Sequence, residues 1–272
     1  MEFTDQVVLV TGGGGRIGRA ICRQFAAAGA KVACCDIDAE RASSTAAVIR
    51  EAGDTAVAVP GDVSVEHEAE AVVADTSRTL GSIDVLVNCA GIFPNCPVVE
   101  MDVAEWDRVF AVNVRGPMLL SRAVARQMLS RGAKGSIINI TSPAGESART
   151  GGSHYCGSKA ALNMLTHTMA IELGPMGIRV NAVSPGLVLD SVMSLENPPT
   201  DEYPRAILKG IPVGRTARSE EIANAVLFLA DSDRASYVNG AILNVTGGAH
   251  PGRPHLPPSR QAQGQRQPKT LR

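Results

Sequence analysis

The chain has 272 residues, of which 44% are hydrophobic and 19% are charged, and its formal net charge is −1 at pH 7. This length predicts one large α/β domain or two small ones, and a net charge near zero argues against partners such as nucleic acid or an anionic membrane. Aromatic residues make up only 3% of the chain, which argues against a stacking surface for single-stranded nucleic acid.

Short apolar strands and helices alternate along the chain. In order, we predict strand 6–11, helix 16–28, strand 31–36, helix 40–52, strand 55–60, helix 65–80, strand 83–87, a long helix 102–131, strand 136–141, helix 155–173, strand 178–183, helix 220–230 and strand 241–245. The strands are continuous Val/Ile/Leu/Ala runs, which is typical of strands covered on both faces. With right-handed crossovers they predict an α/β fold, a single-domain Rossmann-type doubly wound parallel sheet of about seven strands.

The composition changes near residue 250. Residues 1–250 show no linker and no internal repeat, so we predict one domain there. Residues 251–272 are rich in Pro, Gln and Arg and contain no acidic residue. This composition predicts a disordered basic tail, and an arm that binds an anionic partner is the alternative.

Cysteines and apolar runs bear on the compartment. The six cysteines show no CxxC pair and no regular spacing, so we predict no metal site. The N-terminus lacks a basic segment followed by an apolar one, and no apolar run approaches the length of a membrane span. We therefore expect a cytoplasmic protein that does not bind membranes.

A glycine cluster, TGGGGRIG at residues 11–18, follows the first strand and opens the first helix. Backbone N–H groups and the positive helix end in such a turn bind a pyrophosphate, and glycine permits the close approach. Gly13, Gly15 and Gly18 satisfy the pattern G-x-G-x-x-G, and the position in a β–α–β unit favours a dinucleotide site over an ordinary turn.

Asp36 ends the second predicted strand, eighteen residues after Gly18. A carboxylate there accepts hydrogen bonds from both adenosine ribose hydroxyls and repels a 2′-phosphate. The alternative is a turn aspartate, as Asp38 is close by. Together with the glycine cluster, Asp36 favours NAD over NADP.

When the central segments are considered together with the glycine cluster and Asp36, residues 5–248 resemble the classical short-chain dehydrogenase/reductase family. The matching segments come in the family's order: residues 11–18, Gly61-Asp62-Val63, Asn88-Cys89-Ala90-Gly91, Asn113, Ser142, Tyr155-x-x-x-Lys159 and residues 181–186. Ser142 precedes Tyr155 by thirteen residues, as in the family. The resemblance also implies a homotetramer, packed through the helices at 102–131 and 155–173 and near the last strand.

The resemblance implies a cofactor role for residues along the whole chain. Asp62 and Val63 would contact the adenine, whereas Pro185, Gly186 and Val188 would border the nicotinamide. Asn88, Ala90 and Gly91 would line the ribose and the cofactor backbone. The full implied set of cofactor-binding residues is Gly12, Gly15, Arg16, Ile17, Gly18, Asp36, Asp62, Val63, Asn88, Ala90, Gly91, Tyr155, Lys159, Pro185, Gly186 and Val188.

Two positions depart from the family's pattern. Arg16 stands where the family has the second glycine of TGxxxGxG, so either Gly15 makes the close approach or Arg16 itself reaches a phosphate, which would weaken the preference for NAD. Asp190 stands where the family has threonine. Asp190 can still accept from the nicotinamide carboxamide, and Ser191 is the alternative.

The expected chemistry is hydride transfer between a secondary alcohol and the cofactor. A free tyrosine has a pKa of about 10, so Tyr155 needs help to act as general acid/base near neutral pH. Lys159 lies one helical turn beyond it, and its ammonium is expected to lower the tyrosine pKa. Ser142 is expected to orient the substrate oxygen, and by resemblance Asn113 holds a water that links Lys159 to solvent.

The loops at the carboxyl ends of the strands are expected to select the substrate. These are residues 93–98, 143–153 and 187–205, the last predicted as a mobile lid, and their lining includes Glu146, Arg149, His154 and Asp190. They predict a small or medium polar secondary alcohol or its ketone. Two other functions remain open: an NAD(H)-binding sensor on the same fold, and an epimerase or dehydratase of the longer, extended relatives.

Overall fold

A computed structural model of the protein describes residues 3–189 and 191–249. Asp190 and the predicted tail at 251–272 lie outside the described residues. Within them, seven strands form one parallel sheet in the order β3-β2-β1-β4-β5-β6-β7. The strands are β1 Val7–Thr11, β2 Lys31–Asp36, β3 Ala56–Pro60, β4 Val85–Asn88, β5 Gly135–Ile140, β6 Ile178–Pro185 and β7 Ile242–Val245. The predicted fold class is confirmed.

Helices cover both faces of the sheet. The described helices are α1 Arg16–Ala27, α2 Ala39–Glu51, α3 Glu66–Leu80, α4 Val103–Phe110, α5 Gly116–Ser130, α6 Ser153–Leu173, α7 Glu202–Leu208 and α8 Ser219–Ala230. None of these helices combines the length and the apolar character needed to cross a bilayer.

Each face of the sheet packs its own apolar core. Along β1, Val8 and Val10 point into the core beneath α1, α2 and α8, and Val7 and Leu9 point into the core beneath α3, α5 and α6. Successive side chains of a strand point to opposite faces, which is why a buried parallel strand is apolar throughout. Burying each large aliphatic side chain contributes about 1.5–3 kcal/mol, so these cores hold the carboxyl edge of the sheet in place.

The strand order reverses between β1 and β4. In open α/β sheets a ligand crevice forms at this switch point, outside the carboxyl ends of the strands. Here the side chain of Thr11, at the end of β1, ties the two strands together. Its Oγ1 accepts hydrogen bonds from the backbone N–H of Cys89 at 3.0 Å and of Ala90 at 3.1 Å. The glycine cluster after β1 is therefore fastened to the loop after β4.

Two predicted elements differ from the structure. The single helix predicted at 102–131 is divided, because a π-helical turn at 111–115 separates α4 from α5. The segment 187–205, predicted as a loop, contains the start of α7, and two β-bridges hold it to residues 215 and 217. The β-bridges and the contacts of Asn113 in the π-helical turn join residues that are distant in sequence. The mobility predicted for the segment stays a prediction.

Candidate active site

The glycine cluster forms a turn whose shape depends on the missing side chains. Gly12 has a φ of +63°, and a Cβ on it would lie 3.0 Å from the backbone of Ala90. A Cβ on Gly18, in the first turn of α1, would overlap the carbonyl oxygen of Gly12. Gly15 is the N-cap of α1 and has no side chain to shield the free N–H groups of that helix end. The turn therefore leaves a cradle of backbone donors that fits a pyrophosphate.

Asp36 lies directly against this cradle. Its Oδ2 accepts a hydrogen bond from the N–H of Gly14 at 3.0 Å, and its Oδ1 accepts one from the N–H of Asp38 at 3.1 Å. These two bonds hold the carboxylate at the carboxyl end of β2. An ionised carboxylate has further lone pairs, so Asp36 can still accept from hydroxyl groups of a ligand.

Arg16 and Ile17 take different directions from the first turn of α1. The exposed Arg16 side chain donates from Nη1 to the carbonyl oxygen of Val188 at 2.9 Å, which links α1 to the segment after β6. Ile17 is half-buried and packs against the core beneath α1, α2 and α8. A contact of Arg16 with a phosphate and a contact of Ile17 with the cofactor stay predictions.

Asp62 and Val63 follow β3 in a tight turn. Asp62 Oδ1 accepts from the N–H and the hydroxyl of Ser64 at 2.9 and 2.7 Å, and the Asp62 N–H donates to Glu68 Oε2 at 2.8 Å. Val63 is buried in the core beneath α3, α5 and α6. The predicted adenine contacts stay predictions, because these hydrogen bonds show only that the turn is well fixed.

The side chain of Asn88 lies inside the protein. It is buried at the end of β4, where Nδ2 donates to Asn139 Oδ1 at 2.9 Å and to Ser121 Oγ at 3.1 Å. Its side chain therefore joins an internal polar network. The predicted contact of Asn88 with the ribose or the cofactor backbone stays a prediction.

The π-helical turn at 111–115 positions Asn113. The fully buried side chain accepts from the N–H of Ile92 at 2.9 Å and donates to the carbonyl of Ile92 at 2.9 Å and to Ser158 Oγ at 3.0 Å. π-helical turns are rare and often occur at functional sites. Here the turn directs Asn113 toward the loop after β4 and toward α6, so one side chain joins three elements of the site.

Gly91 brings the loop after β4 close to the predicted catalytic groups. A Cβ on Gly91 would lie 3.3 Å from Asn113 Oδ1 and 3.6 Å from Lys159 Nζ. The structure thus places Gly91, Asn113 and Lys159 side by side, although they are far apart in sequence.

Tyr155 and Lys159 lie one turn apart on α6. Lys159 is only 5% exposed, and its Nζ donates to the carbonyl oxygen of Ile140 at 2.8 Å and lies 5.9 Å from the centroid of the Tyr155 ring. Burial lowers the pKa of the Lys159 ammonium from 10.5 to about 8, and the Cys89 thiol partly opposes this shift. Since this pKa still lies above 7, Lys159 carries its charge near neutral pH.

Ser142 lies two residues after the end of β5, at the same edge of the sheet. Its Oγ accepts from the N–H of Ala144 at 3.2 Å and caps the short 3₁₀ turn 143–145. That turn packs on α6, since a Cβ on Gly145 would lie 2.9 Å from the carbonyl carbon of Lys159. The four predicted catalytic residues are therefore all found at the carboxyl edge of the central strands.

Pro185, Gly186 and Val188 lie at the end of β6 and in the segment after it. The N–H of Gly186 donates to the carbonyl of Val245 at 2.9 Å, and a Cβ on Gly186 would lie 2.9 Å from the Cα of Thr246. Val188 is buried and forms a β-bridge with Ala217. Their predicted place beside a nicotinamide stays a prediction.

Three further side chains lie near Tyr155. Ser158 has no role predicted from the sequence, whereas Phe93 and Arg149 belong to the loops expected to select the substrate. Ser158 is fully buried and donates from Oγ to the carbonyl of Tyr155 at 2.8 Å while it accepts from Asn113. Phe93 packs edge-on against the Tyr155 ring, with centroids 6.3 Å apart, and Arg149 lies with Cζ 4.9 Å from the ring centroid. In the sequence, the one signal for any of these contacts is the position of Ser158 between Tyr155 and Lys159 in the YxxxK motif.

His154, which we do not expect to be catalytic, is fully buried beside Tyr155 in α6. Its Nδ1 accepts from the N–H of Tyr155 at 2.9 Å, and its Nε2 lies 3.3 Å from Glu105 Oε1 without the angles of a hydrogen bond. These contacts connect α6 to α4, so His154 has a structural place in the described site.

Comparisons with known proteins agree with this architecture. The family model described as Enoyl-(Acyl carrier protein) reductase matches residues 14–250. A protein of Thermotoga maritima named "Uncharacterized oxidoreductase" is 40% identical over 254 residues, which cover 92% of this chain and 99% of the relative. A sorbitol dehydrogenase of Cereibacter sphaeroides and a galactitol 2-dehydrogenase of Agrobacterium fabrum are each 37% identical over 256 residues, covering 91% of this chain and 98% of each relative.

The family match spans most of the chain, and the relatives are similar along nearly their whole length. The glycine cradle has no room for a Cβ at Gly12 or Gly18, so its backbone can approach a ligand closely. It therefore fits the nicotinamide cofactors that such dehydrogenases use. The chain is thus an oxidoreductase that acts on CH–OH groups, and it belongs to the short-chain dehydrogenase/reductase family.

Proposed function

We propose that this oxidoreductase interconverts a secondary alcohol and its ketone with NAD, and that Tyr155 is its general acid/base. The observation that carries the proposal is the Tyr155–Lys159 pair. Both side chains project from α6 one turn apart, and the buried Lys159 ammonium lies 5.9 Å from the tyrosine ring centroid. A nearby positive charge favours the phenolate form that oxidation of an alcohol requires.

The proposed steps assign one task to each side chain. In the oxidation Tyr155 accepts the hydroxyl proton of the substrate, and in the reduction it returns that proton to the ketone oxygen. Ser142 donates a hydrogen bond to the same oxygen and orients it. When the cofactor is bound, its nicotinamide C4 supplies the hydride acceptor for the oxidation.

Lys159 and Asn113 are proposed to serve Tyr155. Because burial lowers the Lys159 pKa to about 8, the group exchanges its proton more readily than an exposed lysine. We propose that a water held at Asn113 links Lys159 to solvent. The contacts that Asn113 makes with Ile92 and Ser158 support this, since they fix the π-helical turn beside Lys159.

The proposed preference for NAD depends on Asp36. Its carboxylate is held against the glycine cradle by Gly14 and Asp38, where it would accept from ribose hydroxyls and repel a 2′-phosphate. Arg16, the basic residue that could favour NADP, donates to the carbonyl of Val188. This direction supports NAD.

For the substrate, we propose a small or medium polar secondary alcohol. The names of two relatives refer to the polyols sorbitol and galactitol, which belong to this class. We further propose that residues 1–250 form a single catalytic domain and that the protein is cytoplasmic. We also propose that four copies associate through α4–α5, through α6 and near β7. Exposed apolar side chains on α4 and α6, including Val103, Met164 and Ile171, support this association, and light scattering that gives a monomer mass at micromolar concentration would exclude it.

The test is the absorbance of reduced cofactor across a panel of secondary alcohols and ketones, with NAD and NADP in turn. We expect turnover with NAD, and at least a 10³-fold lower kcat in Tyr155→Phe with unchanged NADH affinity, since general acid/base catalysis contributes about 10²–10⁴-fold. Asp36→Asn should lower the NAD/NADP ratio of kcat/KM about tenfold.

Each outcome has a distinct meaning. Full activity in Tyr155→Phe would exclude Tyr155 as the acid/base, and NADP preference in the wild type would show that Asp36 does not select the cofactor. Tight NADH binding without turnover of any compound would favour the sensor function.

A further inference from the structure

A second positive charge lies beside the Tyr155 ring. The guanidinium carbon of Arg149 is 4.9 Å from the ring centroid, closer than Lys159 Nζ at 5.9 Å and within the range of a cation–π contact. Arg149 belongs to the loop that joins Ser142 to α6 and is half-buried. The proposed proton transfer uses Lys159 and Ser142 and gives Arg149 no task.

Two glycines hold the Arg149 side chain in this place. A Cβ on Gly152 would lie 2.7 Å from Arg149 Cγ and 2.9 Å from its Nε, so the glycine makes room for the arginine. Gly151 has a φ of +69°, and its carbonyl oxygen accepts from the N–H of Cys96 at 2.8 Å. The loop that carries Arg149 is thereby fastened to the loop at 93–98.

The neighbouring contact on Tyr155 is apolar. Phe93, from the loop at 93–98, packs edge-on against the tyrosine ring and is 70% exposed. An exposed aromatic side chain beside a reactive group gives a carbon skeleton a surface to pack on. The structure thus places an apolar side chain and a positive charge against the Tyr155 ring.

We propose that Arg149 is a specificity-determining residue that binds a carboxylate of the substrate, so that the enzyme acts on short hydroxy acids and the corresponding keto acids. A guanidinium keeps its charge at all physiological pH values, and its planar fork matches a carboxylate with two parallel hydrogen bonds. The carboxylate is chemically unchanged in the reaction. Because Arg149 lies beside Tyr155, the carboxylate that it binds must be close to the reacting carbon of the substrate.

This inference depends on the proposed function and narrows its substrate class. A polar neutral alcohol would satisfy Ser142 and Tyr155 equally well, whereas an anionic substrate gains more from Arg149, because hydrogen bonds between two charged groups are the stronger ones. Among the described residues, the charged groups in contact with the Tyr155 ring are those of Arg149 and Lys159.

The test compares matched acids and amides. The purified enzyme is assayed with NAD on 3-hydroxybutanoate and 4-hydroxypentanoate and on the amide of each, which has the same shape without the charge. We expect kcat/KM to be at least about 30-fold higher for one acid than for its amide, since hydrogen bonds to charged groups are the strong ones. In Arg149→Gln this ratio should fall about 30-fold, mainly through KM, and Arg149→Lys should restore part of it.

The matched control is Arg78→Gln. Arg78 is an exposed residue in the last turn of α3 and pairs with Asp75, so its loss should leave the acid/amide ratio as in the wild type. If Arg149 only packs on the Tyr155 ring, Arg149→Gln will lower activity on acid and amide equally. That result would overturn the inference.

A binding measurement separates failure of the inference from failure of the proposed function. We expect calorimetry to show that 3-hydroxybutanoate or 4-hydroxypentanoate binds the NADH-saturated enzyme, more weakly in Arg149→Gln and at higher salt. Turnover of neutral alcohols with no preference for the acids would overturn the inference and leave the dehydrogenase proposal intact. Carboxylate binding that depends on Arg149, without any Tyr155-dependent turnover, would support a carboxylate site at Arg149 but overturn both the hydroxy-acid substrate and the proposed function.

Discussion

The two sides of the crevice differ in the groups that form them, which are backbone groups on one side and polar side chains on the other. Around the carboxyl ends of β1 and β2, the site consists of backbone, and its shape depends on glycines such as Gly12 and Gly18 at which a Cβ would strike another backbone segment. Around β4, β5 and α6, the site consists of buried polar side chains, among them Asn113, Ser158 and Lys159. We therefore expect the first side to be disrupted by substitutions that add a side chain to a glycine, and the second by substitutions that remove a buried polar group.

The difference follows from what each side has to do. A pyrophosphate is bound by many N–H groups at short range, so the backbone must approach it closely. Proton transfer needs ionisable groups held out of water, so their hydrogen bonds must be satisfied inside the protein. Three substitutions with matched controls test this contrast, in order of decreasing expected effect on turnover or binding.

The largest effect is expected for Lys159→Met, which removes a buried charge. We expect kcat to fall by about 10³-fold or more, within the range of general acid/base contributions. We also expect a gain of about 1–3 kcal/mol in the free energy of unfolding at pH 7. Burial penalises the charged form of Lys159, which is why its pKa falls to about 8, and the variant no longer buries this charge. Loss of the bond to the Ile140 carbonyl offsets part of the gain.

The pH dependence of this gain has a defined sign. Between pH 8 and 10.5 the unfolded chain keeps the Lys159 proton while the folded protein loses it, so wild-type stability rises relative to the variant. The advantage of Lys159→Met should therefore be greatest below pH 8 and vanish above pH 10.5. Urea unfolding across this range measures it, with the exposed Lys209→Met as control, and a constant difference would contradict the prediction.

The second prediction concerns the backbone side. Gly18→Ala should weaken NADH binding by about 100-fold, because its Cβ would overlap the carbonyl oxygen of Gly12 and push α1 away from the cradle. The control is Gly157→Ala in α6, where the nearest atom to a Cβ is Phe110 Cζ at 3.4 Å. That variant should bind NADH normally and gain about 0.5–1 kcal/mol in stability. Fluorescence titration measures both, and normal NADH affinity in Gly18→Ala would refute the argument.

The third prediction separates structural from functional polar groups on the catalytic side. Asn113→Ala and Asn139→Ala each leave buried partners without hydrogen bonds, so each should cost about 1–3 kcal/mol. Only Asn113 shapes the turn beside Lys159, and we expect kcat to fall about 10- to 100-fold in Asn113→Ala and less than about threefold in Asn139→Ala. Equal losses of kcat would mean that Asn113 acts through stability alone.

The sequence by itself determined the alternation of strands and helices, the glycine turn after β1 and the Tyr155–Lys159 spacing. These features are local, since a buried strand, a glycine turn and one helical turn each leave their pattern in a few consecutive residues. The predicted strands accordingly lie within a few residues of the observed ones.

Tertiary structure alone decided the rest. The π-helical turn at Asn113 depends on Ile92 and Ser158, the direction of Arg16 depends on Val188, and the inward place of Asn88 depends on Asn139. Arg149 lies beside the Tyr155 ring, and its loop is joined to the loop at 93–98 by the hydrogen bond from the Cys96 N–H to the Gly151 carbonyl. Each of these contacts joins segments brought together only by packing of the sheet and its helices, and no pattern of neighbouring residues encodes such a pairing.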